Sequence, residues 1–429
     1  MKKNICMFVW NHFTNDARVL RECTALSEAG CDVDLICIHD PSMAELKTYE
    51  EINERFRVHR VKRYPQWLIL FQSMMKLLKE KKYLLLLLIL VWVAGVFYLP
   101  LITIPLTILF SVLLIKKVRT LIIRISIFLR MIFKGLQKNY DVFHSNDLNT
   151  LPQGVICSKV KLLNRKKLIY DSHEVQTSRT GYDSKLYGKM EFFLLKFVDQ
   201  MIVENHTRAK YNEDLYGFYP NVVHNYPFDQ KKEIKKIDLH GILNIPKNEK
   251  ILLYQGGIQT GRGLENLVKA APNFKEGILV FIGDGRIKKN LMKLTEDMKL
   301  TDRVKFLPKV PLEDLPKYTK NAYLGFQVLN NVCFNHYSAS SNKLFEYIMA
   351  GVPVVACDFP EIKKVVSGEN IGVVVDSHDP NSIAAGVNEL VLNLEMRNQY
   401  SENCWKAKLK YNWEQEKESL LAVYGKNQY

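Results

Sequence analysis

The eight cysteines (Cys6, Cys23, Cys31, Cys37, Cys157, Cys333, Cys357 and Cys404) form no Cys-x-x-Cys pair and no run with metal-ligand spacing, and several stand inside apolar stretches such as "VVAC". Disulfide frameworks and zinc sites depend on such spacings, so reduced thiols in a cytosolic compartment are expected. A cleavable leader is missing as a pattern. "MKKNICMFVW" starts basic, but its apolar run is short and meets Asn11 and His12 without a small-residue cleavage site, which reads as a first β-strand. The turn after that strand, "WNHFTNDAR", has no glycine, which excludes the G-x-G-x-x-G loop of a nucleotide-dependent oxidoreductase. No strand interleaves aromatic with basic residues, so the formal net charge of +15 is not that of a nucleic-acid binder.

The positive charge is placed instead beside the longest stretch without any charge. Residues 83–115, "YLLLLLILVWVAGVFYLPLITIPLTILFSVLLI", lack Asp, Glu, Lys and Arg, and the basic clusters "KLLKEKK" (76–82) and "KKVR" (116–119) flank them. One straight helix of this length overshoots a bilayer core, which needs roughly 20 apolar residues, and Pro100 and Pro105 are expected to interrupt it. Positive charge at both ends favours entry and exit on the cytoplasmic face, as an apolar helical hairpin. The next segment, "RTLIIRISIFLRMIFKGLQK", mixes Arg and Lys with bulky apolar residues as an interfacial helix does. The alternative is a buried helical hairpin in a soluble domain.

A chain of 429 residues exceeds what one core usually supports, and two domains are expected. "NICMFVW", "DARVLRECTALSEAG" and "CDVDLICIH" form a βαβ pattern, and "YDVFHSND", "KKLIYDSHE" and "QMIVENH" repeat an apolar strand that ends in polar residues. A second series runs through "KILLYQGG", "ILVFIGDG", "VKFLPKV", "AYLGFQV", "VPVVACD" and "GVVVD". The expected class is α/β, with two Rossmann-like doubly wound domains facing a cleft. The expected boundaries are an N-terminal Rossmann-like domain over residues 1–225 with a membrane-associating insertion at 65–138, a linker at 226–248, a second Rossmann-like domain at 249–410 and a terminal helix at 411–429.

The stretch "SASSNKLFEYIMAGVPVVA" (338–356) carries the densest chemistry. Ser340, Ser341 and Asn342 are N-cap types, so a helix is expected to start near Lys343, where free amides and the positive end of the helix dipole favour a phosphate. Lys343 adds a charge there. Glu346, one turn deeper, suits a diol such as ribose. Capping with a solvated Lys and Glu is the plain alternative. "YQGGIQTGRGLENLVKA" supplies Gly256 and Gly257, which let backbone approach a ligand, and Arg262, whose fork of donors suits diphosphate oxygens. "FIGDGR" adds Gly283 at a third strand end.

These motifs resemble a family 4 glycosyltransferase (group 1 type) of the two-domain GT-B fold, over nearly the whole chain outside the insertion. In "NKLFEYIMAGVPVVA", Glu346 falls on the family's ribose-holding second Glu of Glu-x7-Glu, and in "YQGGIQTGRGLE" Arg262 matches the second residue of the basic pair facing the leaving group. Two positions depart from the pattern: Ser338 stands where the first Glu would be, and Gly257 where the first basic residue would be. Lys343 restores a cation at the helix start. "DVFHSNDLNTLPQG" and "YDSHE" resemble strand ends facing the acceptor, so Asp147 and His173 are assigned to the transferred sugar or acceptor, and Asn15 to the loop over the donor. The resemblance implies a retaining hexosyltransferase-type enzyme with a nucleotide-diphosphate sugar as donor substrate, no cofactor and no metal. No Asp-x-Asp occurs at a matching strand end, so Arg262, Lys343 and helix amides would stabilise the leaving diphosphate. A membrane insertion further implies a glycan or lipid-linked acceptor, a place at the cytoplasmic face of the cell membrane, and a role in cell-envelope polysaccharide biosynthesis. The alternative is a non-catalytic partner subunit with the same fold.

Overall fold

The computed structural model describes residues 2–14, 16–43, 45–160, 165–178, 185–229 and 234–425. Asn15, assigned above to the donor loop, lies outside them. Among the described residues, fourteen strands form two sheets. The first contains β1 (Asn4–Phe8), β2 (Asp32–His39), β3 (Tyr49–Asn53), β4 (Phe56–Lys62), β5 (Val142–Asn146), β6 (Lys167–Ser172), β7 (Gln200–Val203) and β8 (Asn221–Val222) in the order β3-β4-β2-β1-β5-β6-β7-β8. The second contains β9 (Ile251–Gln255), β10 (Ile278–Ile282), β11 (Val304–Leu307), β12 (Leu324–Gln327), β13 (Val354–Cys357) and β14 (Gly372–Val375) in the order β11-β10-β9-β12-β13-β14. Every registered pair in the second sheet is parallel, for example Leu253 beside Val280 and Gly325.

Contacts divide the chain into two units. One comprises Met1–Val19, Leu26–Tyr170 and Phe197–Asp199; the other comprises Leu20–Ala25, Asp171–Lys196 and Gln200–Tyr429. In the first unit, Ile5, Cys6, Met7 and Phe8 of β1 are fully buried, as the near-continuous apolar run of a central parallel strand requires. The antiparallel edge pair β3–β4 has no counterpart in the sequence reading. Its charged residues, "YEEIN" and "FRVHRVK", bury only every second position of β4, which weakens the apolar signal.

The insertion folds as four consecutive helices: Gln66–Glu80, Lys82–Tyr98, Pro100–Leu114 and Lys116–Leu136. The second and third run side by side, with Trp92 Nε1 donating to Thr107 Oγ1 at 2.7 Å, and neither has a single buried residue. Pro100 opens the third helix as expected, but Pro105 sits inside it and does not break it. The hydroxyls of Thr103 and Thr107 donate to the carbonyls of Leu99 (3.0 Å) and Thr103 (2.7 Å) around the proline, and the helix carries through. The fourth helix buries Ile127, Met131 and Gly135, one face at four-residue spacing, and its Arg130 donates to the carbonyls of Lys62 and Tyr64. No single helix is long and apolar enough to cross a membrane among the described residues; Gln66–Glu80 with Lys82–Tyr98 and Pro100–Leu114 with Lys116–Leu136 pass that test only as pairs, bent by 110° and 86°.

In the second unit, alternate residues of β9 serve two cores. Ile251 and Leu253 face one with Leu344, Phe345 and Ile348; Leu252 and Tyr254 face the other with Leu264, Leu267 and Phe281. The segment 226–248, expected to be a linker, packs Tyr226, Leu239 and Leu243 into the first of these cores, and Asp238 caps a short helix at Leu239–Leu243. Its charged residues hid a few well-spaced apolar anchors.

Candidate active site

The C-terminal ends of β9 and β10 and the start of the helix Asn342–Ala350 meet at one edge of the second sheet. Ser341 is the N-cap residue, without a side-chain cap bond, and Gly351 closes the helix in the left-handed region at φ 69°. Gly283, at φ 155°, follows β10, and a Cβ there would stand 2.0 Å from the carbonyl oxygen of Gly256, so only glycine lets these two strand ends lie so close. Gly256 donates its N–H to Ile282 O at 2.9 Å. Gly257 is different: it is exposed, and a Cβ would meet nothing nearer than Gln259 Cγ at 3.6 Å.

Lys343 is buried, and its Nζ lies 4.2 Å from the centroid of the Tyr254 ring with no ion pair among the described residues. Burial, and then the nearby Arg262 charge, push its pKa well below the ordinary lysine value, against the pull of Glu346. Arg262 is half-buried and likewise makes no hydrogen bond or ion pair among the described residues. Glu346 is half-buried; burial raises its pKa, opposed by a hydrogen bond from Gln255 and by the charges of Lys343 and Arg21. Gln255 Nε2 donates to Glu346 Oε2 at 2.6 Å, and Thr319 Oγ1 is 2.7 Å from Gln255 Oε1. Two cations without an anionic partner among the described residues and a partly desolvated carboxylate form an edge suited to an anion that carries hydroxyls.

Gly256, Gly257, Gly283, Arg262, Lys343 and Glu346 therefore come together, and Asn342 stands exposed at the same helix start. His173 belongs to the same unit. Its Nε2 is 3.2 Å from Asp171 Oδ2, and its carbonyl accepts from Arg208, whose Nε donates to Ser338 Oγ at 3.2 Å. Ser338 is fully buried and its carbonyl accepts from Asn205 Nδ2 at 2.7 Å, so this departure from the Glu-x7-Glu pattern has a local packing role. Asp147 lies in the first unit, just after β5, with a positive φ of 63°. Sequence reasoning missed Arg21, Tyr254, Gln255, Thr319 and His336. His336, its pKa lowered by burial and then by Arg262, accompanies that arginine. The available signal was a polar residue ending an apolar strand, as Gln255 ends "ILLYQ"; Arg21 and Thr319 are distant in sequence and left none.

The sequence profile of the family described as glycosyl transferases group 1 matches residues 235–406, which contain this whole edge. An uncharacterised glycosyltransferase of Methanocaldococcus jannaschii is 26% identical over 306 residues, covering 68% of this chain and 76% of that protein. Residues 235–406 form a group 1 glycosyltransferase domain. A D-inositol 3-phosphate glycosyltransferase of Salinispora tropica is 27% identical over 197 residues, 43% of this chain and 39% of that protein. Among solved structures, sucrose-phosphate synthase from Thermosynechococcus elongatus superposes with a TM-score of 0.72 at 17% identity, covering 99% of this chain and 98% of that one. HepE of Anabaena, solved with UDP and glucose, gives 0.67 at 13% identity, with 99% of both chains covered. The fold of this glycosyltransferase is GT-B, with two parallel-rich α/β sheets.

Proposed function

We propose that this glycosyltransferase moves a sugar from a nucleoside-diphosphate sugar to a glycan or lipid-linked acceptor, with retention of anomeric configuration, at the cytoplasmic face of the cell membrane and in the service of envelope polysaccharide synthesis. The observation that carries the donor half is the pair of cations, Arg262 and Lys343, that have no anionic partner among the described residues and stand beside the Glu346 carboxylate. As the glycosidic bond to the diphosphate breaks, charge develops on its oxygens; Arg262, Lys343 and the leading amides of the Asn342–Ala350 helix stabilise it, which is the work a divalent ion does elsewhere. Glu346 accepts a hydrogen bond from a ribose hydroxyl. The backbone at Gly256, Gly257, Gly283 and Asn342 borders the nucleotide diphosphate, while Asp147 and His173 contact the transferred sugar or acceptor. UDP and glucose in the HepE structure make UDP-sugars the first donors to try.

The membrane half rests on the two side-by-side helices of the insertion, which are apolar, uncharged from Tyr83 onward and without a buried residue, and on the basic residues at both ends. A core helix of a soluble protein buries its apolar surface; these helices do not. The test of the donor site is hydrolysis of UDP-, GDP- and ADP-sugars by the full chain in excess EDTA. Turnover that is lowered about ten- to a hundredfold in Arg262→Ala or Glu346→Ala supports the assignment, by the usual strength of a charge-assisted hydrogen bond. Unchanged kinetics in both variants, or an absolute need for magnesium or manganese, overturns it.

A further inference from the structure

We propose that Tyr254 and Gln255, consecutive residues at the end of β9, act as positioning residues that hold Lys343 and Glu346 apart, so that cation and carboxylate stay open to a nucleoside diphosphate; this rests on the donor-site reading above. Lys343 and Glu346 are three residues apart on one helix, where side chains are neighbours. Lys343 is buried and Glu346 half-buried, and this withdrawal from water strengthens the attraction of unlike charges. They are set up to pair, yet among the described residues they do not.

Each is held by a different residue. Gln255 donates from Nε2 to Glu346 Oε2 at 2.6 Å. Its own amide is oriented by Thr319 Oγ1, 2.7 Å from Oε1, and its backbone N–H donates to Tyr347 Oη at 3.2 Å. Lys343 is drawn the other way. Its Cε lies 3.6 Å from where a Cβ of Gly256 would be, and its Nζ comes to rest over the Tyr254 ring. That ring is anchored by its hydroxyl, which donates to Gly257 O at 2.8 Å, and by Phe281 at a centroid distance of 5.6 Å. Because side chains alternate along a strand, neighbours on β9 reach opposite faces of the sheet, and this alternation is what separates the two charges. A diphosphate can then take Lys343 from an aromatic face, a weaker partner than a carboxylate, and a diol can meet an oxygen of Glu346 that Gln255 has already oriented.

The test is titration calorimetry of the full chain in detergent with UDP, GDP and ADP in turn, using whichever binds the wild type. Gln255→Leu and Tyr254→Leu should each weaken binding about tenfold, the equivalent of one hydrogen bond to a charged group. Tyr254→Phe, which keeps the ring, should recover most of the loss, and Thr319→Val, which only frees the Gln255 amide, should weaken binding in the same direction by less. The pH profile separates this proposal from a simple loss of packing. Once Glu346 falls onto Lys343 its carboxyl becomes more acidic, so the acid limb of binding in Gln255→Leu should move to lower pH; loss of a hydrogen-bond donor alone moves it higher. Unchanged affinity in Gln255→Leu and Tyr254→Leu, or an acid limb that rises, overturns the proposal while leaving the donor site standing. No binding of any nucleotide by the wild type, or binding indifferent to Arg262→Ala, overturns the donor site itself.

Discussion

The insertion and the donor edge invert the ordinary placement of residues in opposite ways. The helices Lys82–Tyr98 and Pro100–Leu114 expose apolar side chains all round, with Leu101 at 90% and Tyr98 at 84%. The donor edge buries a charge, with Lys343 at 8% and no acidic partner among the described residues. Exposed apolar surface and buried unpaired charge both cost stability when nothing covers or compensates them. On the function proposed above, each region has a surface completed by something outside the chain, lipid for the first and a diphosphate for the second. A third region supplies the contrast. Asp34, 2% exposed in the first unit, is a buried carboxylate that the protein satisfies by itself: Arg57 donates at 2.7 Å, Lys138 at 2.9 Å and Tyr140 at 3.0 Å.

The largest effect should come from removing the uncovered apolar surface. The intact protein should remain with membranes through high-salt and carbonate washes, because apolar burial is insensitive to the screening that strips electrostatic contacts. Deleting residues 83–115 should move it almost wholly to the soluble fraction while nucleotide binding persists. Fractionation of the intact protein as soluble without detergent would break the comparison at its first term.

Next comes the buried carboxylate that is already satisfied. Burial alone would raise the Asp34 pKa, but hydrogen bonds from His59, Arg57 and Lys138 outweigh it and hold the carboxyl far below the usual range. Its contribution is present above the ordinary aspartate range and is lost as pH falls from there toward the depressed value. Asp34→Asn should destabilise by about 3 kcal/mol, since it leaves buried donors without their charge partner. Thermal melts between pH 7 and pH 3 should show the wild-type advantage over Asp34→Asn shrinking as acid is added.

The donor-edge charges should contribute with the opposite sign: ionised Asp34 stabilises the fold, whereas ionised Lys343 and ionised Glu346 weaken it. Folding makes the Lys343 ammonium harder to carry, so stability falls as pH drops below the ordinary lysine range, and the whole penalty is present below the depressed folded value. Glu346, with a raised pKa, contributes stability in its protonated form that is complete below the ordinary glutamate range and lost as pH rises through the raised value. Lys343→Met should therefore raise stability by about 1 kcal/mol, or roughly 2 °C in Tm, while crippling transfer. A Tm that falls by as much as that of Asp34→Asn would mean Lys343 is structural.

How much of this was open to a reader of the sequence follows from the range of the interactions. The central parallel strands announce themselves as short apolar runs, and the start of the Asn342–Ala350 helix was visible in its serines. The glycines at 256 and 283 were legible as turns, but that one fits against the other was not, because nothing in a single strand states its neighbour. Asp34 was read only as part of the strand "CDVDLICIH"; its partners lie on β4, at the end of the insertion and just after it. Gln255 was passed over for the same reason, since its meaning depends on Glu346 and Thr319, each far away in the chain. Local patterns gave the elements, and the uneven cases, the edge strand β3 with its neighbour β4 and the packed segment 226–248, are those in which few apolar residues carry the burial.

The smallest effect is the one that separates fold from ligand most cleanly. Gly283 cannot accept a side chain, because its Cβ would strike the Gly256 carbonyl at 2.0 Å; Gly257, one residue further along, can, because its Cβ would have open space beyond 3.6 Å and its φ lies outside the left-handed region. Gly257→Ala should leave Tm unchanged or raise it slightly, by about 0.5 kcal/mol, through the smaller entropy of the unfolded chain. If a diphosphate approaches the backbone at this point, the added methyl group stands between them, and the donor KM should rise about threefold, a fraction of one hydrogen bond. An unmoved Tm with a raised KM places the ligand against this turn. An unmoved KM would mean that the diphosphate is held by Arg262, Lys343 and the helix start alone, and that Gly257 only turns the chain.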